Sequence, residues 1–386
     1  MQTDQRVPGA RHGRLLRGAV ALAILLAGVA LAGPAPAAAD PLPGIDPTVT
    51  ATVWAYSPTT TEYRITDGYS AHSGEGDVVV RRTGTGAYTV VLEGAAATGG
   101  VAHAVAYGGG PVFCTVSSWY RSPIGPPDLL ILVRCFAATG SPADSRFVTT
   151  FTNVRQVSQG RLAWFVTDQA QPTGVRTLPA AYRYDSTGGA VSYERLGTGR
   201  YRFLMNPNPA SEDGPIFPMS HVTALGSTAV HCQLDPPDVW VVHCANAAGN
   251  PVDARFVVTY GSRVDLLGRA SGPRFASGVF HGENVSGTWI GGESYNSTIP
   301  GFGGAAGTVI GTGRYQARFA GTGTGYGTAF VNSFVTSLQR PPRGYCVLAG
   351  WFPSGADTVV SVNCYAWLGV PANLNARISY TTWPAA

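Results

Sequence analysis

Apolar and polar positions alternate in short runs along nearly the whole chain. Tyr88, Val90 and Leu92 share one face of a run that follows Gly84-Thr85-Gly86-Ala87. Tyr201, Phe203 and Met205 do the same after Gly197-Thr198-Gly199-Arg200. A period of two marks a half-buried strand, with the glycines supplying the turn that leads into it. A phosphate-binding glycine loop would instead open a helix, and no helical periodicity follows. Comparable runs at Val53–Tyr56, Val78–Val80, Val101–Tyr107, Val112–Trp119, Leu129–Phe136 and Arg146–Thr152 predict further strands. Their number and spacing are those of a sandwich or barrel.

The pattern then repeats. Gly311-Thr312-Gly313-Arg314-Tyr315 is a third copy of the glycine turn, and Tyr88, Tyr201 and Tyr315 lie 113 and 114 positions apart. A unit of about 110 residues therefore occurs three times, with expected bounds 40–158, 159–269 and 270–386. Tyr69, Tyr184 and Tyr295 each precede a polar turn whose Asp, Asn or Ser can bond its own backbone. The joins at Asn153–Gly160 and Gly261–Gly268 are short and are not flexible tethers, so neighbouring units should touch. One pseudo-threefold body is an alternative, but units of this length can each close a core. The expected fold is all-β: three tandem, disulfide-stapled, antiparallel sandwich-like or barrel-like domains.

Each unit carries two cysteines, Cys114 with Cys135, Cys232 with Cys244, and Cys346 with Cys364. The midpoints fall on the turn signals Ile124-Gly125, Pro237-Asp238 and Ser354-Gly355-Ala356. A hairpin folded there sets the two cysteines opposite each other, within disulfide reach. Zinc fits poorly, because the spacings differ and no Cys-x-x-Cys occurs. Cys135 shares a face with Leu129, Ile131 and Val133, and Cys364 with Val360 and Val362, so the bridges should point into the cores. Arg134, His243 and Asn363 should then point outward.

Residues 1–39 read as an export leader, with four arginines, an apolar stretch from Ala19 to Leu31 and the small-residue zone Ala35–Ala39. Its removal takes the formal charge from +4 to about +1, so basicity gives no argument for nucleic acid. No later stretch reads as membrane-inserting, and the expected location is extracellular. All 26 basic residues are Arg, a compositional bias without a functional pointer. Low charge with 50 Gly and 28 Pro beside 45% hydrophobic residues suits a turn-rich β protein rather than a disordered one.

Candidate chemistry is sparse. Each unit ends on an acid or amide two residues before an Arg: Asp144 with Arg146, Asp253 with Arg255, Asn375 with Arg377. Asn in the third copy removes proton transfer there, which favours a turn role for all three. His103 and His221 precede the first cysteine of their units by 11 residues, whereas the same count in the third unit reaches Val335. His72 with nearby Asp77, and the loop Asn206–Asp213 with Ser211 and Glu212, are the places where a hydrolase site could sit. No Gly-x-Ser-x-Gly elbow, zinc-protease motif or calcium loop occurs, so no catalytic residue, metal ligand or cofactor site is assigned. Trp119 and Trp351 follow the first cysteines by five residues. That count puts them on the face away from the bridges, opposite Leu130 and Val359, as packing residues or a ligand platform. Asn284-Val285-Ser286 and Asn296-Ser297-Thr298 match glycan acceptor sites.

The succession Gly-Thr-Gly-x-Tyr, Cys, hairpin, Val-x-Cys-Phe and Gly-x-Pro-x-Asp-x-Arg-Phe resembles repeats of secreted actinobacterial proteins of uncharacterised function. The likeness is strongest through Cys135-Phe136 and Gly140–Phe147. It implies export and a repeated β module, and brings no activity with it. The expected function is a secreted, non-catalytic binding or surface-associated module whose partner is an extracellular or cell-surface carbohydrate or protein. A secreted hydrolase with a site in one diverged unit and a structural spacer are the rivals.

Overall fold

The computed structural model describes residues 48–125, 127–206, 219–235, 240–282, 288–290, 294–299, 303–323, 326–334 and 343–383. The expected leader, Ser211, Glu212, the expected Pro237-Asp238 turn, Val335 and Asn284 lie outside them. Repeat one contributes β1 (Thr50–Ala55), β2 (Glu62–Ile65), β3 (Ala71–His72), β4 (Val78–Gly84), β5 (Ala87–Leu92), β6 (Val101–Tyr107), β7 (Val112–Arg121), β8 (Leu129–Ala137) and β9 (Arg146–Thr152). Repeat two follows with β10 (Arg161–Val166), β11 (Arg176–Thr177), β12 (Arg183–Asp185), β13 (Val191–Gly197), β14 (Arg200–Met205), β15 (Met219–Leu225), β16 (Val230–Asp235), β17 (Val241–Asn246) and β18 (Arg255–Ser262). Repeat three has β19 (Phe275–Phe280), β20 (Thr288–Ile290), β21 (Ser294–Asn296), β22 (Ala305–Gly311), β23 (Arg314–Phe319), β24 (Gly327–Phe334), β25 (Gly344–Ser354), β26 (Asp357–Ala366) and β27 (Asn375–Thr382). The chain is all-β, as its alternation demands.

In repeat one, β3-β1-β9-β6 and β2-β4-β5-β8-β7 are two antiparallel half-sheets, and the other repeats copy this order. The two halves face each other across a core of alternating apolar residues, Val53, Ala104, Phe147 and Phe151 against Val90, Val116, Ile131 and Val133. Repeats two and three close equivalent cores around Phe203, Val242 and Tyr260, and around Phe319, Val362 and Ile378. Each repeat is therefore sandwich-like.

The half-sheets do not stop at the repeat boundary. Tyr107 pairs in parallel with Leu348, Leu225 with Val116, and Phe334 with Leu234. These are the same two positions in each repeat, at the end of the fourth long strand and two residues past the first cysteine. Every half-sheet of four thereby continues into a neighbour's half-sheet of five, giving three sheets of nine strands. Repeat one joins two, two joins three, and three returns to one. A head-to-tail contact that closes after three copies makes a ring.

The ring's centre is where β6, β15 and β24 meet. His103, His221 and Phe330 occupy one equivalent position, since they pair with Thr150, Thr259 and Ser379. Phe330, sixteen residues before Cys346 instead of eleven, is thus the third copy's counterpart, in place of Val335. The rings touch edge to face, His103 to Phe330 at 5.8 Å and His221 to Phe330 at 4.9 Å. Nδ1 of His103 bonds the Thr223 hydroxyl (3.0 Å) and Nε2 that of Thr259 (2.8 Å). His221 meets the next repeat in the same way, through Asn332 Oδ1 and Ser379 Oγ, both at 2.7 Å. Where the third histidine would seek a partner, repeat one has Val105 in place of Thr223 or Asn332. Phe330 and Val105 are matched, so no imidazole is buried there without an acceptor.

All three expected disulfides form, joining Cys114 to Cys135, Cys232 to Cys244 and Cys346 to Cys364 with Cα separations of 4.0, 4.1 and 4.0 Å. The cysteines pair directly across their hairpins and lie in the cores. Loops this short make each bridge worth about 2–4 kcal/mol. Outward pointing holds for Arg134 and Asn363 only in the sense of leaving their own core. Asn363 Nδ2 donates to Gly109 O across the seam between repeats three and one (2.8 Å). His243 is buried, 3.5 Å from Asp235. For Asn363 the reason is that the ring gives its face a neighbour.

Candidate functional site

The recurrent glycine turn is a clamp. Gly86, Gly199 and Gly313 adopt φ of +62°, +64° and +66°. A Cβ at Gly86 would stand 2.3 Å from Cys135 O, so only glycine fits. Asp144 Oδ1 accepts the Gly86 N–H (2.9 Å) and the Tyr88 hydroxyl (3.1 Å), while Arg82 grips the carboxylate through Nε (2.9 Å) and Nη2 (2.8 Å). The Tyr88 hydroxyl in turn accepts the Ser145 N–H (3.0 Å). Asp253 repeats this with Gly199, Tyr201 and Arg195. The guanidiniums of Arg82 and Arg195 hold these carboxyls below the ordinary range. In repeat three the acceptor is Asn373, on Gly313 N–H at 2.8 Å, and not Asn375. Asn375 pairs with Phe334, the register position of Arg146 and Arg255. The acid's arginine is therefore the one two residues before the glycine turn, replaced in repeat three by Val309. A carboxylate saturated in this way is a structural tie, not an acid-base group.

His72 is also a turn residue. Nδ1 accepts the Gly74 N–H (3.2 Å) and Nε2 bonds Gly76 O (3.1 Å). Asp185 and Asn296 hold the same strand position and accept the N–H two residues on, at 3.0 and 2.9 Å. Burial lowers the His72 pKa. Asp77 is drawn instead to Arg64, which also pairs with Glu93. The register corrects the tyrosine alignment too: Ala71, not Tyr69, matches Tyr184 and Tyr295, and Tyr69 matches Tyr182. Asn296 is buried and donates to Ala320 O (2.7 Å), so it is no glycan acceptor.

Trp119 and Trp351 lie elsewhere than the count of five implies. A bulge between Val116 and Ser118, and another between Leu348 and Gly350, adds one residue to each strand. An extra residue reverses the alternation. Trp119 therefore pairs with Ile131 and Trp351 with Val360, on the cysteine face and not opposite Leu130 and Val359. Both tryptophans cap the outer end of a core where two repeats meet.

At the seam of repeats three and one, that end is filled with rings. Trp351 stands 6.0 Å from Trp54, 6.4 Å from Tyr69 and 5.2 Å from Tyr107, centroid to centroid. Tyr326 covers Tyr69 at 5.8 Å and is half-exposed. The contacts are edge-to-face, the favourable arrangement for aromatic quadrupoles. Arg146 lies over Tyr107 at 5.2 Å.

The seam of repeats one and two has the same two fixed rings. Trp119 stands for Trp351, and Tyr182, in the 3-10 turn Ala180–Tyr182, stands for Tyr69. The other three places are smaller. Register and count put Val166 at the Trp54 position, Leu225 at Tyr107 and Gly99 at Tyr326. A cleft of about 100 Å³ results, lined by Trp119, Tyr182, Val166, Ala97 and Thr98, with Arg121 also on its wall. The Trp119 indole is 8% exposed, and its Nε1 donates to Gly99 O (3.1 Å). The third seam's counterpart falls at 236–239, outside the described residues. Sequence reading singled out Trp119 but missed Tyr182, Val166 and Gly99, because only the register reveals what they replace.

No family model, curated protein or solved structure matches this chain. Among the described residues, no helix is long and apolar enough to cross a membrane, and no group of three metal-ligating side chains forms.

Proposed function

We propose that this is an exported, non-catalytic binding protein whose ligand is held at the open aromatic seam between repeats one and two. The observation that carries this reading is the open cleft floored by Trp119, a concave apolar site with one charged group on its wall. Such sites are the usual places for ligands. Export is supported by the leader, by the oxidised cysteines and by the likeness to secreted repeats. The partner class is a carbohydrate or protein of the cell surface or surroundings. The described seams are unequal, one open and one closed by its own rings, so binding is assigned to the open one.

The mature protein, immobilised and exposed to cell-wall, polysaccharide and surface-protein fractions, should enrich one of them. Trp119→Ala should reduce the enrichment about tenfold, since loss of one central aromatic contact costs a kcal/mol or more. Equal recovery on blank resin, or on the variant, would contradict the proposal.

A further inference from the structure

The closed seam shows what the open one can hold. In the closed seam an indole, Trp54, sits against Trp351 and Tyr69 at 6.0 and 5.6 Å, and the half-exposed Tyr326 covers the edge. In the open seam the Trp351 and Tyr69 equivalents remain in place, while the indole and the cover have been reduced to Val166 and Gly99. The cleft is the space one aromatic side chain leaves. Its volume of about 100 Å³ is on the scale of one aromatic group. Apolar cavities of about 150 Å³ take up benzene, whereas sites for whole drug-sized ligands need about 300 Å³ or more. An oligosaccharide lying along the cleft does not fit that size.

The wall adds a charge requirement. Arg121, the last residue of β7, lines the cleft, its side chain exposed and with no ion-pair partner among the described residues. No Asp or Glu lines it. A guanidinium at the side of an aromatic slot recognises a carboxylate by charge-assisted hydrogen bonds.

We propose that the cleft between repeats one and two binds one planar aromatic group, of the kind the Trp54 indole supplies in the closed seam, bearing a carboxylate, with Trp119 and Tyr182 against the ring system and Arg121 on the acid. The inference rests on the reading of this cleft as a binding site; a peptide end lies within the protein class proposed there, and a free aryl acid goes beyond it. The same chemistry is offered by a free aryl acid and by an aromatic residue at a peptide C-terminus.

The test is a titration of the mature protein followed by tryptophan fluorescence and calorimetry. Indole-3-acetate, neutral indole, D-glucuronate and the peptide Gly-Gly-Trp with a free or amidated C-terminus are the probes. Indole-3-acetate should saturate, indole should bind about tenfold more weakly and glucuronate more weakly still, tenfold being the loss of one charge-assisted contact. Gly-Gly-Trp outbinding indole-3-acetate points to a peptide end, and the reverse to a free acid. Val166→Trp, which recreates the closed seam, should abolish binding while far-ultraviolet dichroism stays unchanged. Should that variant fail to fold, Arg121→Gln decides: it should weaken indole-3-acetate about tenfold and leave indole within about twofold. No saturation by either indole probe up to about 20 mM, or binding that survives in folded Val166→Trp, overturns the inference. If surface fractions are still enriched in a Trp119-dependent way, only the ring-acid ligand falls. If they are not, the binding reading falls with it.

Discussion

Acidification from about pH 7 to pH 4 is expected to remove several kcal/mol of folding stability, most of it through His103 and His221. Both imidazoles are fully buried on the ring axis. Burial pushes the His221 pKa down to about 3, with Arg377 nearby opposing the charge, and pushes His103 down as well, helped by its neighbour His221. Their unfolded value is near 6.5. A depressed folded pKa means the unfolded chain binds the proton first. The stabilisation is complete above about pH 6.5 and is lost as pH falls towards the folded values, at about 1.4 kcal/mol for each unit of depression. The clamp carboxylates titrate below their ordinary range and so contribute only beneath about pH 4. Urea unfolding at pH 7, 5.5 and 4 measures the slope. His231, pushed down to about 4 by burial, adds to the same slope. The double variant His103→Phe/Thr223→Val copies the native Phe330 and Val105 pair and should flatten that slope by about a third. An unchanged slope would remove the axial histidines from the explanation.

The second large effect is expected at the clamp of repeat two. Asp253→Ala strips the acceptor from the Gly199 N–H and from Arg195, while the Tyr201 hydroxyl keeps Ala170 O at 2.8 Å. Unpaired buried donors cost about 1–3 kcal/mol each, but Arg195 is 31% exposed and can regain water. The net loss should be about 1–3 kcal/mol. Repeat three shows how both charges can be absent, with Val309 and Asn373 in these two places. Arg195→Val/Asp253→Asn should therefore cost less than the sum of its single changes, and a double-mutant cycle by urea denaturation reads the coupling. Additive costs would mean that the ion pair does not act as a unit.

What could be read from the chain divides along physical lines. Strands and the disulfide pairing follow from local alternation and from hairpin symmetry about a turn, and both appear in the structure. The faces of Trp119 and Trp351 were misread because a bulge carries no signal in residue type at Val116–Ser118 or Leu348–Gly350. The role of Asp144 was half legible: a turn acceptor was expected, but its arginine, 62 positions earlier, is brought to it only by strand pairing. Counting from cysteines passed over Phe330, because repeat three is longer between that strand and Cys346. The cleft had no signal of its own. It exists because Val166 and Gly99 are small where Trp54 and Tyr326 are large, a comparison that requires the register.

The central claim is that the three repeats close into one ring through shared sheets. Amide hydrogen exchange at Gly108 and Gly109 tests it most directly. Both N–H groups sit between β6 and β7, where separate domains would leave a solvated loop. In the ring they donate to Leu348 O of repeat three, at 2.8 and 3.0 Å. The account predicts protection of these two amides comparable to that of β6 itself, lost only on unfolding of the whole. Exchange at the rate of a free loop, with β6 still protected, would contradict it.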